Sequence, residues 1–496
     1  MILKHIFNKG GNTISYFDFR KAQTIFLLVP FIFLMGFSAQ SQESKIWTLE
    51  ECIGYALENN LNIKKQALII DNQNEILSQS QFEILPSLNG FVSHGYNWGQ
   101  RIDPFTNEFA NKRVRSNDLN LSANVNLFSG FQQINTIKKN KLGLMAAQYD
   151  SDAYRDEISI NVATAYLQLL FYIESVEIAK NQLNITNLQV NRTKKLVDAG
   201  TLAKGDLLTI EAQQASEELS LVNSENNLEL SKLTLTQLLE LPSVDGFEIE
   251  RPELGLIEGS ADLLTPDKIY TTAIDLRPEI KSAELNVESS ERDLDIARGS
   301  LYPRLTLSGS WGSGYSGASE IGKDPFTVPV EFGYTASNEA VFVDQQGYQS
   351  YSAKPFSDQF DDNMNEAVGL SLNIPIFNGW TSRSSIARAK IGIENANLDL
   401  QLKKNNLYKT IQQAYNDASS SLNKHKASQK KVDATSESFK YSEQKFNVGL
   451  INSVDYNNAK KENNNALSEL VQSKYDFVFR MTVIDFYLGK PITLKR

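Results

Sequence analysis

The chain has 496 residues, 41% hydrophobic and 22% charged, with 49 Lys and Arg set against 59 Asp and Glu. A net charge of −10 and a pI near 5.2 argue against a nucleic-acid partner, because phosphate binding needs clustered Lys and Arg. The single cysteine, Cys52, excludes an internal disulfide, and beyond His5 only His94 and His425 remain, far apart in sequence. A metal site, a Ser/His/Asp set or any other enzyme chemistry is therefore not expected, and no cofactor is called for.

At the N-terminus, Arg20-Lys21, the apolar run 25–37 and the small, polar residues 38–41 have the layout of a signal peptide, so residues 1–41 are expected to be removed. That run is too short to span a bilayer, and no later run reads as long and apolar enough to do so as a helix. If the exported chain enters a membrane, it must do so as a barrel.

Residues 48–83 read as helix. Thr48 and Glu51 form a capping box, and Ile53, Ala56, Leu57, Ile63, Ala67, Leu68 and Ile70 recur at helical spacing until Leu85-Pro86. A strand is predicted over 88–98 and a loop over 99–116. From 118 the chain alternates Leu119, Leu121, Ala123, Val125 and Leu127 with Asn120, Ser122, Asn124 and Asn126, a strand wet on one face, ending at Phe128-Ser129-Gly130. No proline follows before about Val197. Ile158, Val162, Ala165, Leu169, Tyr172, Val176, Ala179 and Leu183 step by three and four, the seam of a coiled coil. A helix of that extent is roughly 100 Å long, more than a compact globular domain needs. The chain turns at Gly200-Thr201-Leu202-Ala203-Lys204-Gly205 and returns as a helix over 206–241, stopped by Pro242. Polar residues nearly all round both helices suggest wetting on two sides.

Residues 242–264 form a Pro/Gly/acidic connection, after which the pattern restarts. Pro86 aligns with Pro303 at an offset of 217, and Phe128 with Phe377, Gly200 with Gly449 and Asp206 with Asp455 at an offset of 249. The difference places 32 extra residues in the second strand–strand loop, about 312–366. The second strand carries Val368, Leu370, Leu372, Ile374 and Ile376, and helices over 380–447 and 453–486 complete the copy. The division is thus 42–250 and 251–496, a two-fold internal repeat. Each copy supplies two strands of about ten residues, enough to cross an outer membrane when tilted. Four strands cannot close a barrel, so several chains would have to share one. Within the insertion, Gly312–Gly317 satisfies G-x-G-x-x-G, but loop rather than helix follows it, so no dinucleotide site is read there. Trp98, Trp311 and Trp380 fit interfacial girdle positions near strand ends.

The duplicated turns (Phe128-Ser129-Gly130, Phe377-Asn378-Gly379), Leu85-Pro86 with Tyr302-Pro303, and the two hairpin tips make the chain resemble the TolC family of outer-membrane efflux proteins. The resemblance implies an α+β membrane protein. Three protomers share a twelve-stranded barrel in the Gram-negative outer membrane, continued by an α-helical tunnel through the periplasm. It implies a passive channel for efflux or type I secretion, with a periplasmic adaptor, an inner-membrane pump and outer-membrane lipid as partners. It also implies site residues. Asp455 matches an acid of the pore constriction, and the second constriction acid falls on Asn458. Asp206 matches a latch residue whose expected tyrosine partner is Phe446 and whose neighbouring arginine is Ile451, so apolar packing is the expected closure. Gly200, Thr201 and Leu202, with Gly449, Leu450 and Ile451, fall at the adaptor-docking tips. The competing reading is a soluble periplasmic adaptor, which would carry one helical hairpin rather than two, each preceded by a strand pair.

Overall fold

The structure is a computed structural model describing residues 45–252 and 264–494; the expected signal segment lies outside them. The first half contains β1 (Ile46–Trp47), α1 (Leu49–Asn59), α2 (Leu61–Phe82), β2 (Ser87–Asn97), β3 (Arg101–Ile102), β4 (Phe109–Ala110), β5 (Val114–Ser129), α3 (Gln132–Asp198) and α4 (Lys204–Leu238). β6 (Glu248–Ile249) closes that half, and the second contains α5 (Pro266–Leu276), α6 (Pro278–Gly299), β7 (Arg304–Ser316), β8 (Glu320–Tyr334), β9 (Ala340–Ala353), α7 (Phe356–Asp362), β10 (Asn365–Asn373), α8 (Thr381–Asn447) and α9 (Ser453–Tyr487). Helix lengths match in pairs: 11 residues in α1 and α5, 22 in α2 and α6, 67 in α3 and α8, 35 in α4 and α9.

The capping box forms as read, with Glu51 N–H on the Thr48 hydroxyl and Thr48 N–H on the Glu51 carboxylate. The single helix expected over 48–83 is two. Asn60 takes φ −58 and ψ 126, and its Oδ1 accepts from the N–H groups of Asn62 and Ile63, capping a new helix. The second copy breaks at the matching place, where Pro278 stands at the first position of α6.

Four strands form one antiparallel sheet in the order β10-β7-β5-β2. Leu88 and Val92 on β2 oppose Ala123 and Leu119 on β5. Leu121, Ala123 and Val125 on β5 oppose Trp311, Gly309 and Leu307 on β7, and Leu305 and Leu307 oppose Leu372 and Leu370 on β10. Directly opposed residues share a face, so one side of the whole sheet is apolar and the other carries Asn120, Ser122, Asn124, Thr306, Ser308, Ser310, Ser371 and Asn373. Neither side is covered within one chain, and the apolar side is as open as the polar one: Val368 is 84% exposed, and Val92, Leu88 and Leu370 are also open. A soluble sheet would bury that face.

The expected loop 312–366 is mostly strand. It extends β7 to Ser316, then folds β8 on β9 as a two-stranded ribbon, and α7 returns the chain to β10. At the other end of the sheet both strand-to-helix turns use two consecutive left-handed residues, Gly130-Phe131 (φ 63 and 62) and Gly379-Trp380 (φ 62 and 67). Glycine is required at 130 for a second reason, since a Cβ there would lie 2.2 Å from the Gly299 carbonyl oxygen. Phe131, Tyr302, Phe377 and Trp380 stand exposed around this rim, where aromatic side chains suit a membrane interface. Trp98 is exposed at the opposite rim, whereas Trp311 packs edge-on against Phe360.

The helices pack as two clusters. Ile158, Val162, Ala165 and Leu169 of α3 pack with Leu49, Cys52 and Ala56 of α1, and Leu407, Ile411, Ala414, Ala418 and Leu422 of α8 pack with Ile269 and Ala273 of α5. One stretch of α3 is long and apolar enough to cross a membrane by composition, contrary to the sequence reading. The apolar residues Val162, Ala163, Ala165, Tyr166, Leu167, Leu169 and Leu170 of α3 are instead buried in the first cluster. There the Tyr166 hydroxyl donates to the Trp47 and Glu250 carbonyls, pinning the parallel pair β1–β6 against α3.

Candidate functional site

The free ends of the two helical hairpins, α3–α4 and α8–α9, meet and enclose a cleft of about 530 Å³. Each long helix ends the same way. Thr201 N–H reaches back to the Leu196 carbonyl and Leu450 N–H to the Lys445 carbonyl, around Gly200 (φ 74) and Gly449 (φ 78). These are Schellman caps, for which glycine supplies the left-handed residue at no steric cost. Gly200, Thr201, Gly449 and Leu450 are exposed at the extremity, with Leu202 and Ile451 half-buried behind them.

Helix α9 starts at Asn452, whose side chain accepts from Asp455 N–H at 2.9 Å. This leaves the Asp455 carboxylate exposed in the first turn, where the helix dipole favours a negative charge. Asn458 is exposed one turn further on and Glu462 after it, so the three share a stripe of α9. Asp455 lines the cleft; Asn458 does not.

Asp206 lies apart from that stripe. Its Oδ1 accepts from the Ser453 hydroxyl at 2.9 Å, bridging the start of α4 to the start of α9. The Arg192 guanidinium of α3 donates to the side chain of Asn447 and to its carbonyl, at 3.2 Å for the latter, a second bridge between the hairpins. Phe446 stacks on Tyr456, with ring centroids 4.7 Å apart. The two tips are thus joined by polar bridges, while the ring packing lies within the α8–α9 hairpin; the sequence reading expected a tip held mainly by apolar packing.

About 10 Å along α9 from Ser453, at 1.5 Å per residue, lies a group the sequence reading missed. Lys460, 2% exposed, points from α9 between α3 and α4 and donates to both carboxylate oxygens of Glu217, at 3.0 and 3.3 Å. It also donates to the Gln182 carbonyl at 3.2 Å and contacts the Thr186 hydroxyl. Glu217 further accepts from Thr186 and, at 2.9 Å, from Gln213. Burial pulls the Lys460 pKa below its ordinary value, and the Glu217 charge opposes that shift. The only sequence signal was a lysine within a run of Asn and Ala, indistinguishable from a solvated one.

His425 on α8 is buried against Ser473 of α9, its Nδ1 3.2 Å from the hydroxyl, and His94 lies on β2 beside Asn117. Among the described residues no group of His, Cys, Asp and Glu is arranged to hold a metal.

Comparison with known proteins agrees with this geometry. The outer membrane efflux protein family matches residues 52–240 and 269–489, one segment for each half of the chain. The outer membrane protein TolC of Escherichia coli is 21% identical over 474 residues, covering 93% of this chain and 86% of that protein. The alkaline protease secretion protein AprF of Pseudomonas aeruginosa is 21% identical, covering 70% of this chain and 65% of that protein. The CmeC outer membrane channel of Campylobacter jejuni superposes with a TM-score of 0.71 at 16% identity, over 90% of this chain and 87% of that one. The outer membrane protein VceC of Vibrio cholerae gives 0.64 at 19% identity, over 90% and 96%. With both halves matched by one family and the fold shared along nearly the whole chain, the protein belongs to the outer membrane efflux protein family.

Proposed function

We propose that three copies of this chain form a passive duct that carries substrate across the periplasm and outer membrane for an inner-membrane pump and its periplasmic adaptor. One observation carries the reading: a four-stranded sheet open at both edges, with an exposed apolar face, continued by two hairpins that each pair a 67-residue helix with one of 35 residues. An apolar outer face suits lipid, and the polar face suits a wet lumen. An open edge in lipid leaves backbone groups unpaired, so the strands are stable there only when other copies complete the ring. Two hairpins, each following a strand pair, argue against a soluble adaptor.

The hairpin tips are the periplasmic gate in this reading. Three-fold symmetry brings three Asp455 carboxylates together at the constriction, with Asn458 above them adding no charge. Such a ring favours cations and raises the barrier to anions. The exposed caps at Gly200, Thr201 and Leu202, and at Gly449, Leu450 and Ile451, offer the adaptor its docking surface. Two measurements test these statements. Outer-membrane fractions should yield a heat-modifiable trimer, and a soluble monomer would overturn the channel. In planar bilayers Asp455→Ala should lower cation preference; unchanged selectivity and conductance would remove Asp455 from the pore.

A further inference from the structure

A row of three residues crosses the polar face of the sheet at its helical end. Ser129 on β5 opposes Arg304 on β7, and Arg304 opposes Asn373 on β10. Directly opposed residues share a face, so the three belong with Thr306, Ser308 and Ser371 and not with the leucines at 305, 307 and 372. Between this row, the end of α6 and the first turns of α8 lies a cavity of about 570 Å³. That volume suits a small organic molecule.

Most polar groups in the cavity wall already have partners. Asp293 accepts from Lys139 at 2.7 Å, and Gln132 donates to the Ile296 carbonyl at 3.0 Å. The Ser382 hydroxyl accepts from Asn378 at 2.6 Å and from Ser300 at 2.8 Å. Arg304 differs. Its side chain is exposed on the wall, and among the described residues it makes no ion pair and no side-chain hydrogen bond; the amide of Asn373 beside it is also free. No carboxylate on the polar face stands near enough to compete. Above Arg304 the paired residues of β5 and β7 there are Asn, Ser, Thr and Gly as far as Asp118, which opposes Gly314. From 304 to 314 is about 33 Å at the rise of a strand, and Asp118 already accepts from Ser93 at 2.8 Å. The rest of the wall includes the apolar side chains of Ile296, Ala297, Pro375 and Ala389.

Resting on the duct reading above, we propose that this cavity is a binding site for an amphipathic organic acid in transit, with Arg304 holding its carboxylate. A guanidinium presents two parallel N–H groups to the two oxygens of a carboxylate, and Asn373 supplies a further donor from the next strand. The apolar body of the acid lies against Ile296, Ala297, Pro375 and Ala389. The site opens on the polar face, which the duct reading turns to the lumen and away from lipid. The uncharged wall above it neither repels the anion nor offers a second cation to hold it. A bound acid can therefore leave toward the outside, as transport requires. The site is also remote from the hairpin tips, since the 67 residues of α8 separate it from them by roughly 100 Å.

Calorimetric titration of the full chain in a non-ionic detergent tests the site, with naphthoate as probe and naphthalenemethanol as its neutral counterpart. Wild type should bind naphthoate about tenfold more tightly than the alcohol, the factor expected for a hydrogen-bonded charge at an open site. Arg304→Gln should remove that preference and leave the alcohol's affinity unchanged, and Arg304→Lys should restore it only in part, having the charge without the fork. Ala389→Phe, which fills the cavity, should weaken both ligands, whereas Asp455→Ala should alter neither. Equal affinities of wild type for the two ligands overturn the site, as does an unchanged naphthoate affinity in Arg304→Gln with native circular dichroism. The titration needs no current, so naphthoate bound through Arg304 by a protein that conducts nothing in planar bilayers would overturn the duct reading and leave the site standing.

Discussion

The buried pair Lys460–Glu217 makes the sharpest quantitative demand on the structure. Removing one partner of a buried, hydrogen-bonded ion pair costs about 3–5 kcal/mol, because the other charge stays desolvated without compensation. Lys460→Met should fall near the lower end, about 3 kcal/mol, since Thr186 and Gln213 still donate to Glu217. Glu217→Leu should cost more, about 4–5 kcal/mol, because the ammonium keeps only the Gln182 carbonyl and the Thr186 hydroxyl. The double variant leaves no orphaned charge and should lie within about 1 kcal/mol of wild type, a coupling energy of several kcal/mol. Denaturant unfolding of the detergent-solubilised protein, followed by helical circular dichroism, measures all three. The same pair fastens α9 to α3 and α4 just behind the tips, so each single variant should also raise single-channel conductance. Losses that simply add in the double variant would refute the reasoning, since they would mean the two charges are solvated independently.

Three further outcomes follow from individual contacts. Ser453→Ala removes the hydroxyl that Asp206 accepts from and should cost about 1 kcal/mol per protomer; it should increase spontaneous channel opening in planar bilayers, and an unchanged open probability would show that this bridge does not hold the tip. Burial, with Lys474 nearby, holds the His425 pKa below its ordinary value of about 6.5, so the unfolded chain takes up a proton that the folded chain resists. Stability should therefore fall as pH drops below about 6.5, and His425→Asn should lose less in melting temperature between pH 7.5 and 5.5 than wild type; equal losses would count against it. Burial pushes the Cys52 thiol up to about 12, which leaves about one in ten thousand as thiolate at pH 8. Maleimide should label Cys52 only after unfolding, and labelling of folded protein would contradict its burial.

Long-period features were legible in the chain because they repeat. The seam from Ile158 to Ala179 is largely buried as the spacing requires. Boundaries that depend on one side chain were less visible. Asn60 breaks a helix whose apolar pattern runs straight through it, and in the second copy only Pro278, one residue past the matching Arg277, advertises the break. The insertion was read as loop from its Gly, aromatic and acidic content, yet Phe326, Val328 and Val330 alternate with Thr327, Pro329 and Glu331 across β8. Its prolines suit a strand whose outer edge stays unpaired.

The tip shows why residue identity at one matched position is a weak guide to a site. Phe446 brings no hydroxyl, and from sequence alone that argues for a tip held mainly by apolar packing. In the folded chain the donor to Asp206 comes from Ser453, a residue on a different helix and 247 positions away. The start of α9 reaches Asp206 at the start of α4 because both converge on one cleft. Lys460 carries the same lesson in reverse. Among exposed Asn and Lys it looked solvated, and only the convergence of α3, α4 and α9 makes it the one lysine in that run with a buried carboxylate to face. What a linear reading can recover is therefore the set of elements that meet; which side chain closes each contact is decided where they meet, by distance and by the cost of leaving a charge or a hydroxyl unpaired.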